Sequence, residues 1–399
     1  MNKYSNIFNQ ILQLLPRYKF ERLVKERNAE KHAKGFRCWD QLVAMLFLQL
    51  SKSSSLTEIC QGLRTCVGKL VHLGMAKAPG KSTLAYANEH RQWGLYQDLF
   101  YQLLSRFKNE MRTGKKFKFK NKLVSFDSTV IDLCQGMFDW AKFRKTKGAV
   151  KLHMVLDHDG YMPTFCNITT GKEHETKTLK SLYFQPGTIV AFDRGCIDYS
   201  LFSEWTENGV FFITREKDGT NYGVVERRKY LETGKILRDE LIVLTGFYST
   251  KKCNETLRRI VIWDEEKKEK VVFLTNNLKL AASTIAAVYK DRWQIEIFFR
   301  TLKQHLKIKT FVGTSPNALK TQIWTALIAV LILKYLKYRS RSGISLSNMV
   351  ALLRLNLLIY KDLYAWLDDP LGTPQITPDD CIQLDLFGQQ NGRPGFRND

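Results

Sequence analysis

The chain has 399 residues, long enough for two or three domains with sizeable cores. A hydrophobic share of 44% is that of an ordinary globular protein and excludes a fibrous or wholly disordered chain. The net charge of +23 is spread along the sequence, which favours a polyanionic partner, nucleic acid before membrane, since no basic amphipathic anchor or lipidation motif accompanies it.

Eight cysteines (Cys38, Cys60, Cys66, Cys134, Cys166, Cys196, Cys253 and Cys381) show neither a C-x-x-C pair nor zinc-finger spacing, so they read as reduced, buried thiols of a cytosolic protein. The first ten residues, MNKYSNIFNQ, are too polar for a signal peptide.

Residues 1–105 are helical in pattern. Ile7, Ile11, Leu14 and Leu15 recur at helical spacing, Trp39 to Leu50 reads as a buried helix, and Ser55-Leu56-Thr57-Glu58 opens the next with a capping box. After the loop GMAKAPGKS, one further helix is predicted from Ser82 to about Phe107. Short helices joined by tight turns suit a module that docks a helix in a DNA groove, and equally a helical cap without groove contact. Residues 106–122 are dense in Lys and Arg with Phe107, Phe117 and Phe119 between them, a basic linker able to touch a phosphate backbone.

The strand LVSFDST, residues 123–129, delivers Asp127 to its C-terminal end. Strands at Ala149–Asp157 and Met162–Thr169 flank a turn at HDGYMP, a helix spans Glu175–Tyr183, and the strand TIVAFDRG closes on Asp193. A lone Asp at a strand end is usually a turn or cap residue. Two in this order invite a different reading. His153 and His174 read as hydrogen-bonded structural residues. From about 209 to 277, runs such as LIVLTGFYS, RRIVIWD and KVVFLTNN, separated by charged turns, predict antiparallel hairpins inserted into the domain.

Residues Ala281 to Lys309 predict one long helix on which Tyr289, Arg292, Glu296 and Lys303 fall within roughly 60° of one another, beside an apolar stripe of Val288, Ile295, Phe299, Leu302 and Leu306. Such a polar stripe is ordinarily a solvated, ion-paired face. The two strand-end acids upstream weigh against that here. Ala318 to Tyr338 reads as a buried core helix, its most apolar run, Ile323 to Leu333, being too short to span a bilayer, and 341–367 as further helices. From Asp368 onward Gly, Pro and acidic residues predict a disordered tail.

The spacing Tyr289-x2-Arg292-x3-Glu296-x6-Lys303 resembles the Tyr-Arg-Glu-Lys signature of bacterial insertion-sequence DDE transposases of the "IS-four" type. The resemblance extends over nearly the whole chain: residues 1–105 are similar to the helical, end-recognising domain found on a subset of these enzymes, and 123–340 to their α/β, ribonuclease-H-like catalytic core with its β insertion. It implies that Asp127, Asp193 and Glu296 are catalytic and hold two Mg²⁺ or Mn²⁺ ions, and that Tyr289, Arg292 and Lys303 grip DNA phosphates near the cleaved end. It also implies cut-and-paste cleavage and strand transfer through a hairpin, a homodimer on two double-stranded DNA ends, and a cytoplasmic, nucleoid-associated protein. Trp263, on an insertion strand, is the candidate for holding a flipped base, and equally a packing Trp. In the tail, Gln383-Leu384-Asp385-Leu386-Phe387 resembles the pentapeptide by which bacterial proteins dock on the replication sliding clamp. Two alternatives share these residues, a metal-dependent nuclease that cuts without joining and a domesticated DNA-binding protein without catalysis; the presence of every acid and every signature residue weighs against the second.

Overall fold

The computed structural model describes residues 5–372, apart from residues 32, 67, 112, 113, 115, 134–137, 145, 146, 230–234 and 306–310. Six helices come first: α1 (Ile7–Leu12), α2 (Arg17–Glu26), α3 (Cys38–Ser51), α4 (Leu56–Arg64), α5 (Lys81–His90) and α6 (Gly94–Glu110). Ser55 caps α4 as predicted, its Oγ accepting from Glu58 N–H at 3.1 Å, but the Glu58 carboxylate reaches back one residue further, to Ser54 N–H at 2.5 Å, so the box is displaced by one residue. The helix predicted from Ser82 is in fact two. Arg91 turns extended between them, with its guanidinium donating to Phe36 O and to Gln41 Oε1.

The strands and helices β1 (Leu123–Leu133), β2 (Lys142–Arg144), β3 (Lys147–Asp157), β4 (Met162–Thr170), α7 (Glu175–Lys180), β5 (Ile189–Phe192), α8 (Tyr199–Glu207) and β6 (Phe211–Arg215) follow. β3 lies antiparallel between β1 and β4, with the short β2 against its start; β1 runs parallel to β5, and β5 to β6. The spatial order β4-β3-β1-β5-β6, with α7 and α8 as crossovers, is a ribonuclease-H-like core. β6 thus belongs to the parallel centre of the sheet, although it lies inside the 209–277 segment read as an insertion. After it, β7 (Tyr222–Arg227), β8 (Ile236–Leu244), α9 (Phe247–Thr250), β9 (Leu257–Asp264) and β10 (Glu269–Thr275) form an antiparallel meander whose last strand pairs with β6, so the insertion extends the same sheet.

β5 is buried on both faces, as a central parallel strand must be. Val190 and Phe192 face Phe202, Trp205 and Phe212 on one side. Ile189 and Ala191 face α10 (Ala282–Asp291) on the other, through Ile285 and Val288. α11 (Gln294–His305), α12 (Pro316–Arg339), α13 (Leu346–Asn356) and α14 (Leu363–Asp368) complete the described chain.

The helix predicted over 281–309 breaks at Arg292 and Trp293, where bonds reach back three residues: Arg292 N–H to Tyr289 O (3.2 Å), Ile295 N–H to Arg292 O (3.1 Å) and Glu296 N–H to Trp293 O (3.0 Å). The apolar stripe is divided accordingly. Val288 packs on the sheet, whereas Ile295, Phe299 and Leu302 enter the helical core; Leu306 lies outside the described residues.

That helical core contains residues of α1–α6, α11–α14 and one face of β1, β3 and β4 together. α12 is buried on every side against α3, α5 and α6, because its uninterrupted apolar run leaves no polar face to give to water. By length and composition α12 as a whole could cross a bilayer, yet 89% of its most apolar 18-residue window is buried in protein, as expected of the core helix read from the sequence. The start of α1 also meets the segment after α13, with Ile7 and Phe8 N–H donating to Ile359 O and Leu357 O. The six cysteines among the described residues are free and buried.

Candidate active site

β1 and β5 pair from Leu123↔Ile189 to Phe126↔Phe192, and the next residue on each strand is an acid. Asp127 and Asp193 therefore emerge side by side where the ladder stops. The break in the helix run brings the third acid to them. Arg292, at the break, places its guanidinium between Asp127 (Nη1 to Oδ2, 3.3 Å) and Glu296 (Nη2 to Oε1, 2.9 Å) and is only 7% exposed. Tyr289, one turn earlier, donates its hydroxyl to Asp193 Oδ1 at 3.4 Å, its ring lying under the Arg292 guanidinium. One cluster thus joins both strand ends and both halves of the helix run.

The electrostatics follow from burial. Desolvation lifts the Asp127 carboxyl to about 6, against the pull of Arg292 and of the Ser128 N–H (2.8 Å to Oδ1), and with the push of Glu296 and Glu175. Burial likewise lifts the Tyr289 hydroxyl to about 12, so it remains a donor at neutral pH. Arg292 Nε is buried without a partner.

Residues 118–332 match the family model described as the transposase DDE domain, more than half of the chain. The chain belongs to the DDE transposase family. Residues 3–76 match a second family model, a domain of unknown function, DUF4372. A Sinorhizobium fredii protein named as transposase y4zB is 31% identical over 260 residues, 64% of this chain and 71% of the relative. A Geobacillus stearothermophilus protein, named as the transposase of insertion sequence element IS5377, is 28% identical over 258 residues, 63% of this chain and 67% of the relative. A solved piggyBac transposase synaptic complex with hairpin DNA covers 94% of this chain and 86% of its own at 10% identity and a TM-score of 0.43, a likeness too weak to argue from.

Enzymes of this family cleave DNA and transfer strands with divalent metal ions. Among the described residues of the transposase no three His, Cys, Asp or Glu side chains stand close enough to one another to hold a metal, and Arg292 supplies the positive charge between Asp127 and Glu296. The donor set nevertheless fits a hard divalent cation: carboxylate oxygens from two adjacent strands and one helix, two of them already paired with a positive group.

Lys303 lies beyond this cluster on α11, its Nζ donating to Val130 O on β1 at 2.7 Å. Trp263, 38% exposed on β9 opposite Lys270, is not part of the cluster. Residues 383–387 lie outside the described residues. His153 is buried and bonded to Thr169 Oγ1 at 2.8 Å, and burial lowers its pKa to about 4.

Two features of the transposase site escaped the sequence reading. Glu175, read only as a helix start, receives Ser128 Oγ–H at 2.5 Å and the Cys196 thiol at 3.3 Å. Asp291, beside Arg292, is buried with His158 Nδ1 at 2.6 Å, the Tyr161 hydroxyl and the Lys116 ammonium around it, while His158 Nε2 meets Ser125 Oγ at 2.6 Å. This Ser–His–Asp chain is sealed from substrate, Ser125 being fully buried, and it fixes the break in the helix run to β1. An acid immediately before a signature Arg, and a His in the turn that follows β3, are the signals that could have found it.

Proposed function

We propose that this transposase is a cut-and-paste enzyme that frees the 3′ ends of its insertion sequence and joins them to target DNA, with Asp127, Asp193 and Glu296 as the acids and an excised end that passes through a hairpin. The pairing of Asp127 and Glu296 across Arg292, with Asp193 tied to the neighbouring Tyr289, is the observation that supports the reading most. Two Mg²⁺ or Mn²⁺ ions bound by these acids would activate the attacking water or 3′-hydroxyl and stabilise the leaving oxygen. The protein's own groups divide the remaining work. Arg292 keeps Asp127 and Glu296 aligned while unneutralised, and is released to fork onto a backbone phosphate once they are neutralised; Tyr289 orients Asp193; Lys303 and Trp263 lie along the path of the DNA.

The helices of residues 1–105 bind the terminal sequences in this reading, followed by the basic linker 106–122. Supporting this, a groove of about 600 Å³ runs between residues 28–36 and α5; Lys31, Lys34 and His90 line it, no acid does among the described residues, and exposed Tyr86 stacks on His90 at 4.0 Å. Two copies engage two ends, and Gln383–Phe387 docks the enzyme on the sliding clamp, a contact testable by pull-down with purified clamp.

The deciding experiment is cleavage and joining of labelled DNA carrying the element's own ends, with Mg²⁺ or with EDTA, for wild type, Asp193→Asn and Glu296→Gln. Metal-dependent 3′-end release, hairpin and joined product are expected for wild type, with end binding alone in both variants. Nicks without joined product would make the protein a nuclease, and binding without cleavage by wild type a DNA-binding protein.

A further inference from the structure

The parallel ladder between β1 and β5 ends at Phe126↔Phe192, one residue short of both acids, so backbone pairing does not fix Asp127 relative to Asp193. A single side chain spans the gap. Glu175, the first residue of α7, accepts from Ser128 Oγ at Oε1 (2.5 Å) and from Cys196 Sγ at Oε2 (3.3 Å). Each donor is tied in turn to one of the acids. Ser128 N–H donates to Asp127 Oδ1 at 2.8 Å, and Cys196 N–H to Asp193 O at 2.9 Å within the turn that Asp193 caps. Lys151 on β3 stands 3.6 Å from Glu175 Oε1 and donates to Glu173 O at 2.9 Å, so the loop that carries Glu175 is anchored to the sheet.

We infer that Glu175 is a positioning residue, a bracket that sets the spacing of Asp127 and Asp193 and so the affinity of the site for divalent ions. Its two oxygens are engaged by Ser128 on β1, next to Asp127, and by Cys196 in the turn that follows Asp193. Carboxylates that orient ligating groups from behind typically change metal affinity 10- to 100-fold when removed. The inference rests on Asp127 and Asp193 being metal ligands.

The test is direct Mn²⁺ binding to the full chain, read as loss of free Mn²⁺ signal by electron paramagnetic resonance, which needs no turnover. Wild type and Asp193→Asn come first: if wild type fails to bind, or Asp193→Asn binds as wild type does, the ligand assignment fails and the bracket with it. With that assignment standing, Glu175→Ala is expected to weaken Mn²⁺ binding at least about 10-fold while leaving affinity for the DNA ends unchanged. Glu175→Gln, which keeps the size and one acceptor oxygen, is expected to fall between, and it carries the test if the alanine variant does not fold. Ser128→Ala combined with Cys196→Ala should reproduce the loss, and adding Glu175→Ala to that pair should cost little more, since all three remove one bracket. Wild-type Mn²⁺ affinity in the Glu175 variants, or a full additive loss in the triple variant, would overturn the proposal.

Discussion

Replacing Arg292 by Gln removes the one guanidinium that stands between Asp127 and Glu296 and leaves two carboxylates facing each other with no cation. Breaking a fully buried pair costs about 3–5 kcal/mol. Here the acid side chains are 17% and 30% exposed, so water relieves part of the repulsion and about 2 kcal/mol is the expected loss in EDTA. At ~2 cal/mol/K of unfolding entropy per residue, that is a fall in Tm of about 3 °C for a chain of this size. Added Mg²⁺ should then stabilise Arg292→Gln more than wild type, because a ligand that binds only the folded state stabilises it by RT ln(1 + [L]/Kd), and the variant's acids no longer share their charge with an arginine. Differential scanning fluorimetry across a Mg²⁺ titration reads both effects. Equal melting points in EDTA, or the same Mg²⁺ increment in the two proteins, would show that Arg292 does not hold the acids as the geometry indicates.

Three further outcomes follow from other parts of the molecule. Lys334, in α12, donates to Tyr161 O with its ammonium 5.1 Å from the Phe298 ring, and burial lowers its pKa to about 8. The unfolded chain then binds more protons between pH ~8 and ~10.5, so the cost of charging Lys334 is full below pH 8 and fades as pH rises through that window. Lys334→Met should be more stable than wild type at pH 7 by about 2 kcal/mol, the ~3 kcal/mol of charging less ~1 for the lost hydrogen bond, with the gap closing near pH ~10 and reversing above it in thermal melts; a gap independent of pH refutes this. In the insertion, Arg258 forks onto Asp239 at 2.8 and 2.6 Å with both side chains at most 5% exposed, and also donates to Leu280 O just before α10. Asp239→Ala should cost about 3–5 kcal/mol by denaturant titration and Asp239→Ala with Arg258→Met much less, whereas equal losses would locate the stabilisation elsewhere. Lys31→Ala with Lys34→Ala should weaken end binding and lower the slope of log affinity against log salt by about 2, roughly 0.9 per phosphate contact; an unchanged slope would exclude the groove from the DNA path.

Asp127 and Asp193 were legible because each follows an apolar run of a central strand, although β1 continues past Asp127 to Leu133, and the order of strands and helices around them leaves few topologies. The spacing of Tyr289, Arg292 and Glu296 stayed legible even though the helix carrying them breaks, since the break is a tight turn of three-residue bonds that barely shifts the stripe. What periodicity could not supply is which charges face one another. Arg292 read as a phosphate grip, yet its nearest anions belong to the protein itself, and the residues that hold it there, Asp291, His158 and Ser125, are far apart in sequence and individually unremarkable. The sharing of one core by α1–α6 and α11–α14 was hidden for the same reason: an apolar stripe announces that a helix needs partners and says nothing about whether they lie 30 or 300 residues away. This sharing has a mechanical consequence. Because α6 packs on α12 and α11 packs on β1 beside Asp127, the N-terminal helices and the helix that carries Glu296 belong to one packed body, and a shift of either is felt by the other.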